Sequence, residues 1–369
     1  IELISVATSH LHRPTMYTVI IYTFNRHDLL LRAIDYYQHF DCDVFIADSS
    51  DSKLSYKFPD NIIYKHFPRP AALFAEKIYE TAKSITTPYV CLVPDDDYLL
   101  ESSLKLASCF LDDNQDYVSA QGKYYKFELI KNQVTFSPRY DLGSTHYAVE
   151  SEDRLSRLAR AFNPYFHQIY SVHRTDVFTK TWKFDCSVCK TGSYKDFALD
   201  EFLVQLVPMC HGKHKVLPIL WMVRDYYRFD HTRHKTEVDK KHESSNPISY
   251  YYKQLTAIAK TTKIFLDSED CRQLKKSFRD TISDLASNKE SDALFDTAFQ
   301  SFYKWIISER NKILAKLITK LLFPKWALQY YKKRIENQYS TGIDTVYEND
   351  FKKIRLSILN FKKCYDNYR

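Results

Sequence analysis

Between residues 17 and 100 the chain alternates short apolar runs with amphipathic stretches, a pattern that few folds accommodate. Tyr17–Thr23 (YTVIIYT) is continuously apolar and rich in β-branched residues, as a strand buried on both faces requires. Asp28 is placed to cap a following helix, which carries Leu29, Leu30, Ala33, Ile34 and Tyr37 along one side. Asp43–Asp48 (DVFIAD), Ile62–His66 and Tyr89–Val93 (YVCLV) read as three further strands, and a helix opened by Pro70 separates the last two. Strands that alternate with helices form a mostly parallel central sheet flanked by helices, so the expected class is α/β.

The next segment is mixed. A helix is expected over Ser102–Leu111, hairpin strands over Tyr117–Glu128 and Gln133–Phe136, helices over Glu152–Ala161 and Phe197–Val207, and a strand over Val216–Val223. From Ile248 onward the pattern is helical almost to the end, and the polar stretch Arg233–Asn246 marks a boundary. A length of 369 residues accommodates both parts: an α/β domain over residues 1–240 and an α-helical C-terminal domain over 241–369.

Composition removes several functions. The chain has five glycines, and none are close enough to write G-x-G-x-x-G, a G-x-x-x-x-G-K-[ST] phosphate loop or a G-x-S-x-G elbow. A bound nucleotide must therefore be held by side chains. The net charge of +7 is mild and unevenly placed, with its richest basic stretch at Lys304–Arg334. The eight cysteines are scattered and no leader is recognisable, so reduced thiols and a cytoplasmic location are expected. No apolar run is long enough to span a bilayer.

Chemistry concentrates where strands end. The fourth strand stops at Asp95-Asp96-Asp97; alternation along a strand sends Asp95 and Asp97 to one side and Asp96 to the other. Ligands of open α/β sheets bind outside the carboxyl ends of strands. Three crowded carboxylates there suit a hard divalent ion, Mn²⁺ or Mg²⁺, shared with substrate phosphates; a solvated acidic turn before a helix is the simpler alternative. The first strand ends in Thr23-Phe24-Asn25-Arg26 and the second in Ala47-Asp48-Ser49-Ser50, which places hydroxyl, amide, guanidinium and carboxylate groups at the same edge. Asp48 can accept from a base or ribose, and Arg26 can face a phosphate.

The strings TVIIYTFNRHDLLLRAIDYY, VFIADSS and TPYVCLVPDDDYL, in this order and spacing, resemble the N-terminal half of a family 2-type glycosyltransferase of the GT-A fold, of the bacterial surface-glycan type. The resemblance covers roughly residues 15–235. It implies an inverting, metal-dependent enzyme that moves a sugar from a nucleoside-diphosphate donor to a hydroxyl of a glycan or lipid-linked acceptor in polysaccharide assembly. Thr23, Asn25 and Arg26 then line the nucleotide pocket, Asp48 contacts the base, and Asp95, Asp96 and Asp97 form the Asp-x-Asp end, with Asp97 the main metal ligand. Lys77 falls where the family has a basic or amide residue facing the donor. The catalytic base falls on Asp200, with Glu201 as the competing choice. In the text VLPILWMVRDYYRFDHTRH, Arg224, Arg228 and His231 fall near the diphosphate, with His231 the candidate for a third metal ligand.

Two features lie outside that resemblance. Cys186-x-x-Cys189 followed by Cys210, His211 and His214 has some zinc-like spacing, against which free buried thiols are the alternative. The stretch Trp305–Lys333 reads as a helix with an apolar stripe and Lys312, Lys316 and Lys320 on another side. Such a helix either packs on a core or lies on an anionic membrane, the latter implying a peripheral place on the inner face of the cell membrane. A nucleotidyltransferase on a similar sheet, or a non-enzymatic basic protein binding nucleic acid or anionic surfaces, are the other functions weighed. The acidic strand ends argue against a nucleic-acid partner.

Overall fold

The computed structural model describes residues 16–68, 74–130, 133–139, 147–160, 166–191, 197–225 and 347–367. The polar boundary near Arg233–Asn246, the basic stretch 305–334, Arg228 and His231 lie outside the described residues.

The first half is built as the apolar runs require. Strands β1 (Tyr17–Thr23), β2 (Val44–Asp48), β3 (Ile62–His66) and β4 (Tyr89–Pro94) lie in the order β3-β2-β1-β4, all parallel. Helices α1 (His27–Tyr37) and α2 (Phe74–Ala82) provide the crossovers. Val19, Ile20, Ile21, Val90, Cys91, Leu92 and Val93 are wholly buried, because helices cover both faces of these strands. Asp28 does not cap α1; Arg26 occupies that position without a side-chain cap, and Asp28 sits inside the first turn, where its charge still suits the helix N-terminus.

Beyond β4 the sheet is mixed. After β5 (Tyr98–Leu99) and α3 (Glu101–Asp113), the long strand β6 (Tyr117–Ile130) forms a hairpin with β7 (Gln133–Pro138). Helix α4 (Arg154–Arg160), strand β8 (Val172–Arg174), helices α5 (Thr175–Thr191) and α6 (Phe197–His211) and strand β9 (Lys213–Asp225) follow. Strand β8 is antiparallel to both β4 and β6, whereas β9 runs parallel to β6 and antiparallel to β5. At the register shift between Gln121 and Lys123, Gly122 approaches β9 so closely that a Cβ there would collide with the Ile219 carbonyl oxygen.

The last described helix, α7 (Glu348–Asn367), packs on this sheet. Phe351, Ile354 and Ile358, spaced as one helical face, join Tyr98, Leu100, Phe127, Leu129, Val134, Leu220 and Val223 in a second core cluster. Among the described residues no helix is long and apolar enough to cross a membrane.

Candidate functional site at the strand ends

Parallel pairing sets β1, β2 and β4 in register, Thr23 opposite Asp48 and Tyr22 opposite Pro94, so their carboxyl ends reach one place together. The chain must turn sharply after β1, and it does so at Asn25, which adopts a left-handed φ of 52°. That conformation is held by its neighbours. The Asn25 amide donates to Ser50 Oγ at 2.8 Å, its Nδ2 donates to Asp51 at 2.8 Å, and the Asp51 amide returns a bond to Asn25 Oδ1 at 2.9 Å. Asn25 is thus a staple between the β1 and β2 loops.

The acidic turn is neutralised from within. Asp95 is fully buried; Thr23 Oγ1 donates to it at 2.6 Å and Arg26 pairs with both its oxygens. Arg26 also reaches Asp96 at 2.9 Å. Asp97 accepts from Arg224 Nε at 2.7 Å and from the Asp225 amide at 2.9 Å, while its carbonyl accepts from Tyr37 Oη at 3.0 Å. Burial raises the Asp95 and Asp97 carboxyls to about 6, with Arg26 and Arg224 pulling the other way. Asp96 is less enclosed; burial raises it too, but Arg26, Arg224 and Arg32 together hold it below its ordinary value.

Asp48 and Lys77 organise the neighbouring loop. Asp48 accepts from the Ser50 amide at 2.8 Å, Tyr64 Oη at 2.7 Å and His27 Nε2 at 2.9 Å. Burial opposes its charge, yet those bonds lower its pKa. The Lys77 ammonium is buried and donates to the Thr23 carbonyl at 2.7 Å and Ser49 Oγ at 2.8 Å, tying α2 to the ends of β1 and β2. Burial lowers it to about 8, against the pull of Asp95 and Asp48.

The structure therefore brings Thr23, Asn25, Arg26, Asp48, Lys77, Asp95, Asp96, Asp97 and Arg224 together. Asp200 and Glu201 lie in the first turns of α6, where their side chains are outside those described; one turn on, Val204 and Gln205 are buried and Gln205 donates to the Phe166 carbonyl at 2.9 Å. Sequence reading missed Arg32, Asp225, His27 and Tyr64, and also Tyr170, whose hydroxyl meets that of Tyr22 at 2.9 Å and whose ring lies 5.0 Å from the Arg224 guanidinium. His27 follows the T-x-N-R turn directly, a local signal that could have found it.

A hard divalent ion at this cluster would have to displace the guanidinium groups that neutralise it. Asp48, Asp95, Asp96, Asp97 and Asp225 outnumber Arg26, Arg32, Lys77 and Arg224, and a diphosphate would add further negative charge. Arg26 and Arg224 hold the carboxylate oxygens such an ion would take. Among the described residues no group of three or more His, Cys, Asp or Glu is placed to hold a metal, so an ion at Asp95 and Asp97 would complete its shell from substrate oxygens and water. Of the zinc-like spacing, Cys189's side chain lies outside the described ones; among the described residues Cys186 is buried in α5, His211 is exposed on α6, and His214 is buried in β9 with its Nδ1 at 2.8 Å from Ser119 Oγ.

No protein-family model matches the chain, and no curated protein matches it significantly. Among solved structures, it is similar to crystal structures of S. aureus TarS. Residues 1–349 of TarS align at 13% identity and a TM-score of 0.48, over 96% of this chain and 92% of that one. The same TarS segment in complex with UDP-GlcNAc aligns at 12% identity and a TM-score of 0.48, over 96% and 93%. Against a longer TarS chain the identity is 14% and the TM-score 0.46, and the alignment spans 70% of this chain but 41% of TarS.

Proposed function

We propose that this chain is a nucleotide-sugar glycosyltransferase whose donor lies across the carboxyl ends of β1, β2 and β4. The convergence of Thr23, Arg26, Asp48, Lys77 and the Asp95–Asp97 turn at one sheet edge carries this reading. A nucleoside-diphosphate sugar presents base, ribose and phosphates in series, and the edge presents carboxylate, amide, hydroxyl and guanidinium groups to receive them. In the donor complex Arg26 and Arg224 would exchange carboxylate oxygens for phosphate oxygens. Mn²⁺ or Mg²⁺ held by Asp97 and Asp95 would supply the positive charge that stabilises the leaving diphosphate. Asp200 would accept the proton of the acceptor hydroxyl, with Glu201 as the alternative, and attack from the opposite face would invert the anomeric carbon. The acceptor would be a glycan or lipid-linked hydroxyl in bacterial polysaccharide assembly, reached at the inner face of the membrane through the basic stretch 305–334.

A thermal-shift panel of nucleoside diphosphates and nucleotide sugars, each with and without Mn²⁺, tests this. A ligand at 100 times its dissociation constant stabilises by about 2.7 kcal/mol. At least one nucleotide is expected to shift the melting temperature, more strongly with Mn²⁺, and Asp97→Asn is expected to remove the Mn²⁺ increment. If no nucleotide shifts the transition under either condition, the reading fails.

A further inference from the structure

A groove of about 780 Å³ opens at the end of β1 opposite the acidic turn, between α1, the start of α3 and α7. Its volume lies in the range of small-molecule sites. Tyr17, the first residue of β1, lines it and is only 7% exposed, yet its hydroxyl has no hydrogen-bond partner among the described residues. Burial, with Glu101 and Asp41 close by, raises the pKa of that hydroxyl, so it remains a proton donor at neutral pH.

The rest of the lining mixes signs. Asp41, Glu101 and Asp350 contribute carboxylates, Lys105 and Lys353 contribute ammonium groups, and half-buried Tyr36 and exposed Leu356 contribute apolar surface. Neither lysine forms an ion pair with these carboxylates among the described residues, and Glu101 accepts from the Asp41 amide through one oxygen only, so donors and acceptors stand apart around one cavity. A polyanion would be repelled by the carboxylates and a polycation by the lysines. A neutral polyol can donate to the first set, accept from the second and lay its C–H faces against Tyr36 and Leu356.

We propose that this groove binds a neutral oligosaccharide, at a site separate from the strand-end cluster and anchored by Tyr17, Glu101, Lys105 and Lys353. This binding would hold whether or not the acidic turn receives a nucleotide.

Calorimetric titration of the full chain with maltotetraose, cellotetraose and fully N-acetylated chitotetraose tests it, with spermidine and inorganic phosphate as charged controls. At least one tetrasaccharide is expected to bind saturably at one site. Lys353→Met and Lys105→Met, both at exposed positions, are expected to keep the wild-type melting temperature and to weaken that binding about tenfold each, or about 1.4 kcal/mol. Tyr17→Phe is expected to weaken it as well, and Asp97→Asn to leave it unchanged. No saturable heat with any tetrasaccharide overturns the proposal. Binding that survives both lysine variants but is lost in Asp97→Asn overturns it too, as does spermidine or phosphate binding lost in the lysine variants while the sugars do not bind.

Discussion

Arg32 and Asp225 form an ion pair at 3.3 Å in which both side chains are 2% exposed, and the same guanidinium donates to the Asp96 carbonyl at 2.7 Å. One buried arginine on α1 thus joins the turn after β4 to the end of β9. It also lies 5.2 Å from the rings of Tyr98 and of Phe361 on α7, so the last helix packs against the group that positions the acidic turn.

Removing one partner of a buried pair leaves the other charge uncompensated, at a cost of about 3–5 kcal/mol. Arg32→Met is therefore expected to lower stability by that order in urea unfolding. Arg32→Lys is expected to recover little, because an ammonium cannot span the Asp96 carbonyl and the Asp225 carboxylate with the geometry of a guanidinium. A stability loss below about 1 kcal/mol for Arg32→Met, within the worth of an exposed pair, would show the pair to be dispensable.

Arg32 also marks where sequence reading stops. Strands β1, β2 and β4 were legible because a strand buried on both faces must be apolar throughout, and the acidic turn stood out against that background. Arg32 gave no such signal; its partners are 64 and 193 residues away, and its neighbours Leu31 and Ala33 do not tell which groups it meets. Helix α5 is not among the expected elements, although Val177, Phe178, Thr181, Trp182 and Cys186 repeat at helical spacing and are all buried. Lys77 and Asp48 stand at the strand ends as expected, and their internal partners Thr23, Ser49, Ser50 and Tyr64 are set by loops that local pattern does not specify.

Strand β6 carries Ser119 between His173 of β8 and His214 of β9, all three in register and buried. Burial lowers His173 to about 4 and His214 to about 3, so both are neutral in the folded chain. The unfolded chain takes up protons below about 6.5, and stability should fall as pH drops from there toward about 4, by up to about 1.4 kcal/mol per pH unit for each histidine. Asp95 and Asp97, raised to about 6, act in the opposite sense between about 4 and 6, so the wild-type slope is a partial cancellation. Comparing urea midpoints at pH 7 and pH 5 for wild type and His214→Gln isolates one histidine. The variant is expected to lose less stability on acidification, and equal losses would contradict the assignment.

Phe351 is 4% exposed and packs against Phe136, ring centres 4.6 Å apart, in the cluster that joins α7 to the sheet. Phe351→Ala is expected to cost about 3–5 kcal/mol, as large-to-small changes in a core do. Leu356→Ala, at an exposed position of the same helix, is the matched control and should change stability by about 0.5 kcal/mol or less. Equal effects would mean that α7 does not bury the face assigned to it.

The proposed base can be separated from the donor site by two substitutions on α6. A general base contributes about 10²–10⁴-fold, so Asp200→Asn should cut turnover by that factor while keeping the size and hydrogen-bonding shape of the side chain. Nucleotide affinity should be unchanged, because the base acts on the acceptor hydroxyl and not on the diphosphate. Asp97→Asn should show the reverse division, with metal-dependent nucleotide binding lost first. Glu201→Gln is the companion to Asp200→Asn. If turnover collapses in Glu201→Gln and persists in Asp200→Asn, the base lies one residue further along the helix. If both variants turn over normally while donor still binds, the proton leaves by another route and the mechanism proposed for α6 is wrong. The anomeric configuration of the product gives an independent reading: inversion agrees with a single direct attack, whereas retention would require a second displacement that neither residue, acting only as a base, could provide.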